Sequence, residues 1–179
     1  MKPCIKIAAA AIYLGLTATT LLSLPAQAGT ATANLDITAS VAPNCTISTA
    51  GVAFGAYDPV VTNAVTALTG TGSITIACTK ASVPTLKLDL GANPTGAVRR
   101  MASGAERLPY QLYQPPTNVA GAACGALTTV WGTVGAAILT TVAAPSRAPR
   151  TYNVCGSIPG GADVAVGVYA DTIIATVTF

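Results

Sequence analysis

Polar and apolar residues alternate without a break from position 30 to position 41 of this 179-residue chain. Side chains on a β-strand point alternately to its two faces, so this pattern predicts a long strand with one buried face. Such a strand can pair within its own domain, or it can complete a neighbouring molecule. Its apolar face would consist of Ala31, Ala33, Leu35, Ile37, Ala39 and Val41.

Shorter alternating runs follow along the rest of the chain. Residues 72–79 place Ile74, Ile76 and Cys78 on one face, and residues 85–90 and 107–113 repeat the pattern. Proline, glycine and asparagine separate the runs, and no helical apolar period follows residue 28. Many short strands at this spacing predict one all-β domain, a sandwich or a barrel. Further predicted runs are 44–48, 51–55, 137–142, 151–155, 163–169 and 171–179.

The first 28 residues have the three-part form of a secretory signal peptide. Lys2 and Lys6 precede a long apolar stretch, and residues 26–28 read Ala-Gln-Ala, the small-x-small pattern of a cleavage site. The alternative is a retained membrane anchor, but this ending and the polar sequence behind it argue against one. We therefore expect export and a mature chain that begins near Gly29.

Charge gives little indication of a partner once the leader is set aside. Residues 29–179 carry seven basic and six acidic side chains, a net charge of +1. Nucleic acid binding requires clustered positive charge, which Arg99 and Arg100 alone do not provide. We expect no nucleic acid partner.

Four cysteines remain in the exported chain, and they indicate disulfides. Three pairings are possible. We favour Cys45–Cys78 and Cys124–Cys155, because each closes a loop of about thirty residues between neighbouring strands. Zinc is the competing interpretation, but the chain contains no histidine and no Cys-x-x-Cys motif.

Catalytic motifs are not evident either. Histidine, the commonest general base, does not occur, and no Gly-x-Ser-x-Gly motif or phosphate-binding glycine loop is present. The sequence predicts a protein that is not an enzyme, with no catalytic residue, metal site or cofactor.

The run at residues 171–179 allows three interpretations. Ile173, Ala175, Val177 and Phe179 share one face, and no turn follows them. The run could be the last strand of a complete sandwich, or the closing strand of an outer-membrane barrel. Against a barrel, aromatic residues make up only 5% of the chain, too few for two interfacial girdles. The third interpretation is a sandwich that lacks its final strand.

An ordered series of short motifs resembles a known family. The series comprises residues 44–46 (Asn-Cys-Thr), 52–55 (Val-Ala-Phe-Gly), 70–79, 100–101, 108–113, 130–132 (Val-Trp-Gly) and 167–179. In this order the motifs resemble the spore coat protein U domain family, whose members include subunits of archaic (Csu-type) chaperone–usher pili.

This resemblance implies an immunoglobulin-like β-sandwich that lacks its final strand and is completed by a donated one. Residues 29–41 would be the donor arm and residues 42–179 the incomplete domain. A periplasmic chaperone would first lend a strand, and an outer-membrane usher would exchange it for the arm of the next subunit. The implied groove-filling residues are Ala31, Ala33, Leu35, Ile37 and Ala39, and the implied groove wall is Ile173, Ala175, Val177 and Phe179.

The implied function is a structural pilin. Identical or related subunits would join head to tail into an extracellular fibre that serves adhesion and biofilm formation. The alternatives are a secreted coat protein of a spore or cell surface, and a tip adhesin. Tip subunits of such systems carry an added binding domain, which argues for a polymerising subunit here.

Overall fold

The computed structural model describes residues 27–179, so nearly all of the predicted signal peptide lies outside the described residues. The chain divides into two units between Ala39 and Ser40. Within residues 27–44 no strand forms, although alternation predicted one over 30–41. A strand needs a hydrogen-bonded neighbour, and among the described residues no ladder includes residues 30–41. Its apolar side chains are exposed: Leu35 keeps 84% and Ile37 88% of its surface accessible.

The second unit is built from eight antiparallel strands in two sheets. One sheet has five strands in the order β1-β2-β7-β5-β4, and the other has three in the order β6-β3-β8. A single short 3₁₀ helix, Gly135–Ala137, precedes β6. No helix within residues 27–179 is long and apolar enough to cross a membrane. The strands are β1 (Cys45–Ala50), β2 (Leu68–Cys78), β3 (Thr85–Leu88), β4 (Arg99–Ser103), β5 (Glu106–Tyr113), β6 (Leu139–Thr140), β7 (Arg150–Ile158) and β8 (Ala175–Thr178).

The inner faces of the two sheets form one hydrophobic core, as the alternation predicted. This confirms the all-β sandwich predicted from the sequence. Because successive strand residues face opposite ways, every second residue is buried in β3, in β2 from Gly72 onward and in β5 from Leu108 onward. The core residues at these positions are Ile74, Ile76, Cys78, Leu86, Leu88, Leu108, Tyr110 and Leu112.

In the second unit, two predicted strands do not form and one observed strand was not predicted. Residues 51–55 and 163–169 form no strand, and β4 was not predicted. After β1, the chain leaves β2 at Gly51, so Val52 and Phe54 pack onto the core instead of continuing the ladder. Strand β4 escaped prediction because it begins with two arginines, and Arg99 takes an inner position opposite Tyr110.

One flank of the sandwich is closed by a buried polar network, which we call the closed flank. Trp131 is fully buried; its amide donates to Leu112 of β5, and its indole Nε1 donates to the Leu86 carbonyl of β3 at 3.1 Å. The guanidinium of Arg99, also fully buried, donates to the carbonyls of Asp89 (2.6 Å) and Trp131 (2.7 Å). Burial lowers the pKa of Arg99. These bonds join the two sheets to each other.

Both favoured disulfides are confirmed. Cys45 and Cys78 lie directly opposite each other on β1 and β2, with 4.1 Å between their Cα atoms. Cys124 and Cys155 attach the loop after β5 to the outer face of β7, with 5.6 Å between their Cα atoms.

Candidate functional site: an apolar groove on the open flank

The flank opposite the network is open. Strand β1 ends the five-stranded sheet and β8 ends the three-stranded sheet, and Cα atoms of the two strands approach within 8 Å. No hydrogen-bonded ladder joins β1 to β8 in the part of the chain that the structure describes. Ile47, which points toward the core side of β1, remains 37% exposed. Two strand edges and uncovered apolar surface therefore meet here, and we call this side the open flank.

Two adjoining cavities form a groove that begins at the open flank and continues across the inner side of the five-stranded sheet. Chamber 1, of about 430 Å³, contacts the ends of β1 and β8, and chamber 2, of about 720 Å³, reaches Met101 of β4. The first wall of the groove is the end of β1 with the irregular chain behind it, residues 49–59, and the second wall is the chain at 164–175. The floor consists of core side chains: Ile74, Leu88, Tyr110, Leu112 and Val154 in chamber 1, and Leu108 and Ile158 in chamber 2.

The first wall lies close to the sheet because three glycines make room for it. Gly70 and Gly156 pair across β2 and β7, and Gly72 is two residues further along β2. A Cβ atom on Gly156 would lie 2.6 Å from the Phe54 ring, and one on Gly72 would lie 2.8 Å from Val52. We call these three residues the glycine track. It lets Val52 and Phe54 rest directly on the strand backbones.

The second wall is held in place by carboxylates. Asp171 accepts hydrogen bonds from the Tyr110 hydroxyl (2.6 Å) and the Ala92 amide (2.9 Å). Asp89 accepts the amide of Ile174 at 2.9 Å. Burial and the bond to Asp171 raise the pKa of the Tyr110 hydroxyl, so it stays a donor across the physiological range. Together with the backbone pair between Ala170 and Ala102 of β4, these bonds hold the second wall in place.

A second polar turn shapes the far end of chamber 2. The Asp58 carboxylate accepts the amides of Val60 and Val61, at 3.0 and 3.2 Å, and these bonds lower its pKa. The Tyr57 hydroxyl donates to the Pro159 carbonyl and accepts from the Ala162 amide, both at 2.8 Å. The loop after β7 is thereby attached to the first wall.

The predicted site residues lie in two places, on the exposed arm and at the second wall with β8. The predicted groove-filling residues, from Ala31 to Ala39, are all exposed. Of the predicted wall residues, Ile173 and Ala175 line chamber 1. Val177 packs against the core, and Phe179 is half exposed; neither lines a chamber.

Sequence reasoning missed most of the groove. It assigned no groove role to Val52, Phe54, Met101 or Tyr110, all of which line a chamber. One signal was available: glycines at positions 70 and 72 of a strand indicate close approach of another segment.

The groove offers apolar side chains and strand edges to a ligand. Within residues 27–179 no group of three or more His, Cys, Asp or Glu side chains could hold a metal ion. An unpaired strand edge binds an extended chain through main-chain hydrogen bonds, while pockets take alternate side chains. The geometry therefore suits an extended segment with one apolar face.

Comparison with known proteins places the chain in a family. The family model of the Spore Coat Protein U domain matches residues 31–176. This chain belongs to the Spore Coat Protein U domain family. The resemblance noted from the sequence motifs is thereby confirmed.

A relative and a solved structure accompany this match. This chain is 38% identical over 169 residues to Protein U of Myxococcus xanthus, and the match covers 87% of this chain and 88% of Protein U. Its fold is similar to that of a chain in the CsuC–CsuE chaperone–tip adhesion subunit pre-assembly complex from the archaic chaperone–usher Csu pili of Acinetobacter baumannii. That similarity has a TM-score of 0.54 at 21% identity; it covers 78% of this chain but 41% of that one.

Proposed function

We propose that this protein is a structural subunit of a surface fibre. Each copy would donate its arm, residues 29–41, to the open-flank groove of the next copy. The observation that carries the proposal is the match between an unpaired arm with one apolar face and an apolar groove between two strand edges. The similarity to a Csu pilus complex and the family membership support a pilus-type subunit.

The arm has fewer residues than the chain that would accompany it. At about 3.3 Å per residue, the eleven residues 31–41 would extend over roughly 36 Å as a strand. The second wall together with β8 comprises residues 164–178, of which Ala175–Thr178 form a strand. The arm would add a strand beside β8, and its odd-numbered side chains would enter the groove.

Burial of the arm's two large residues would supply much of the affinity. Leu35 and Ile37 are almost fully exposed in the single chain. Removing such a side chain from water contributes about 1.5–3 kcal/mol, and the new main-chain hydrogen bonds would remove the exposed edge of β8. An open groove and a free edge are also an aggregation hazard, which explains why a chaperone would have to cover them before assembly.

The assembly would be a head-to-tail fibre. An arm that binds a different surface on its neighbour is a heterologous contact, and such contacts build open filaments when the rotation does not close. Export through the periplasm, capture by a chaperone, assembly at an outer-membrane usher and a role in adhesion and biofilm formation complete the proposal.

A secreted coat protein is the second candidate. The family takes its description from a spore coat, and Protein U of Myxococcus xanthus shares 38% identity with this chain. Strand exchange between copies would serve a coat as well as a fibre. Neighbouring chaperone and usher genes would favour the pilus.

Charge substitutions in the arm test the proposal. Leu35→Asp and Ile37→Asp should block assembly of the exported chain, because a carboxylate cannot enter an apolar groove without a partner. Thr38→Asp is the matched control, since Thr38 occupies the opposite face of the arm and should tolerate the change. Assembly is followed by the ladder of oligomers on unheated denaturing gels. Normal ladders from both Leu35→Asp and Ile37→Asp would contradict the proposal.

A further inference from the structure

The two chambers of the groove share a boundary. Four residues line both chambers and therefore lie at their boundary: Val52 and Phe54 on the first wall, Tyr169 on the second, and Met101 on β4. We call this boundary the neck. Any extended segment that occupies both chambers must place one side chain at the neck.

The neck is braced on both sides. Val52 and Phe54 rest on the glycine track, so they cannot move toward the sheet, and Phe54 also packs edge-on against Tyr110 with 6.2 Å between ring centres. On the other side, the Tyr169 hydroxyl donates to the Ala165 carbonyl at 2.7 Å. The next residue, Ala170, pairs with Ala102 of β4. A bulky ligand side chain would therefore meet a neck with little room to widen.

We propose that the neck selects the register of the donated arm by admitting only a small side chain, and that Ala39 occupies it. This inference rests on the proposed function. The apolar face of the arm has two large residues, Leu35 and Ile37, flanked on both sides by alanines. Alanine at the neck lets both large residues enter chamber 1.

The direction follows from the pairing already present in the fold. All six strand ladders are antiparallel, so we infer that the arm also runs antiparallel to the second wall and β8. With Ala39 beside Tyr169, the two-residue period places Leu35 beside Ile173 and Ala33 beside Ala175. The opposite direction would instead place Ala33 at the neck and Ala39 beside Ala175.

Paired cysteine substitutions distinguish the two directions at one wall position. The variant with Ala33→Cys and Ala175→Cys should form a disulfide between copies during assembly of the full exported chain. The variant with Ala39→Cys and Ala175→Cys should not, although it carries the same kinds of substitution. Non-reducing gels and mass spectrometry of the linked peptides read the result, with single-cysteine variants as controls. Cross-linking only through Ala39→Cys would overturn the register while leaving strand donation intact. If neither pair cross-links in assembled protein, the register proposed here is wrong; strand donation itself is contradicted only if Leu35→Asp and Ile37→Asp also assemble normally.

Side-chain size at the neck provides a second test that does not alter the folded domain. Ala39→Leu should slow assembly by about tenfold or more, because overpacking a braced site is unfavourable. Ser40→Leu is the matched control on the opposite face and should assemble within about twofold of the wild type. Ala33→Leu should likewise be tolerated better than Ala39→Leu. Wild-type assembly rates for Ala39→Leu would overturn the proposal.

Discussion

The two flanks of the sandwich are built from the same two sheets but are completed differently. On the closed flank, Trp131 and Arg99 are fully buried and bridge β3 to β4 and β5 through six hydrogen bonds to backbone carbonyls. On the open flank, every residue of β1 except Cys45 is exposed, and β8 alternates between half-buried and exposed. On the closed flank the chain supplies the buried side chains and hydrogen bonds itself, whereas on the open flank it leaves strand edges free.

The difference shows where stability and where assembly are encoded. Buried groups with every partner present contribute to the fold and leave nothing for another molecule to bind. Free edges contribute little to the fold and can bind a strand. Variants on the closed flank should therefore change unfolding, and variants on the open flank should change assembly.

The largest expected effect is on the closed flank. Trp131→Ala should lower the free energy of unfolding by about 3–5 kcal/mol, because it empties a buried site and leaves the Leu86 carbonyl without its donor. Denaturant unfolding of the monomer measures this. The matched variant on the open flank is Ile47→Ala, which should cost about 1 kcal/mol since Ile47 is partly exposed. Equal losses at the two positions would contradict the division between the flanks.

Removing each disulfide in turn gives the next largest expected effect on the free energy of unfolding and tests the comparison of the two flanks. Replacing Cys45 and Cys78 by alanine should cost roughly 3–4 kcal/mol in the chain-entropy model and should also release β1, which has little other burial. The Cys124–Cys155 disulfide closes a loop of similar length. Replacing both of its cysteines by alanine should therefore cost a similar free energy of unfolding but should leave the amides of β1 protected. Amide hydrogen exchange in β1 separates the two variants; equal protection in both would count against the open flank's dependence on its disulfide.

The smallest effect concerns the wall of the groove and depends on pH. Burial and the bond to Asp171 raise the pKa of Tyr110 above its ordinary value of 10.0. The folded protein thus keeps a proton that the unfolded chain releases above pH 10, so this contribution is present at lower pH and is lost as pH rises. Tyr110→Phe should cost about 1 kcal/mol at pH 8 and should unfold with a shallower alkaline slope. A slope identical to that of the wild type would show that Tyr110 is not the group responsible.

Alternation predicted the strands that bury a face in their own domain. Ile74, Leu86 and Leu108 all lie in the core, as the period of two requires. The same pattern misled at residues 30–41, 51–55 and 163–169, because alternation records a face that can be buried and says nothing of the partner. Val52 and Phe54 use that face to pack on glycines, and residues 30–41 leave theirs exposed.

The groove itself could not be predicted from local pattern. Its floor comes from β2, β3, β5 and β7, and its walls come from segments more than 100 residues apart. Arg99 illustrates the same limit, because two adjacent arginines indicate an exposed strand or loop until the carbonyls around one of them are known. Spacing and loop length were sufficient for the disulfides because Cys45, Cys78 and Cys155 lie on predicted strands.

Hydrogen exchange before and after assembly tests the central claim most directly. In the monomer, amides of residues 31–41 should exchange freely, and those on the free edge of β8 should be weakly protected. In the assembled protein both segments should become protected together, while amides inside the network of the closed flank, such as that of Trp131, should stay unchanged. Assembled protein in which residues 31–41 still exchange freely would contradict strand donation.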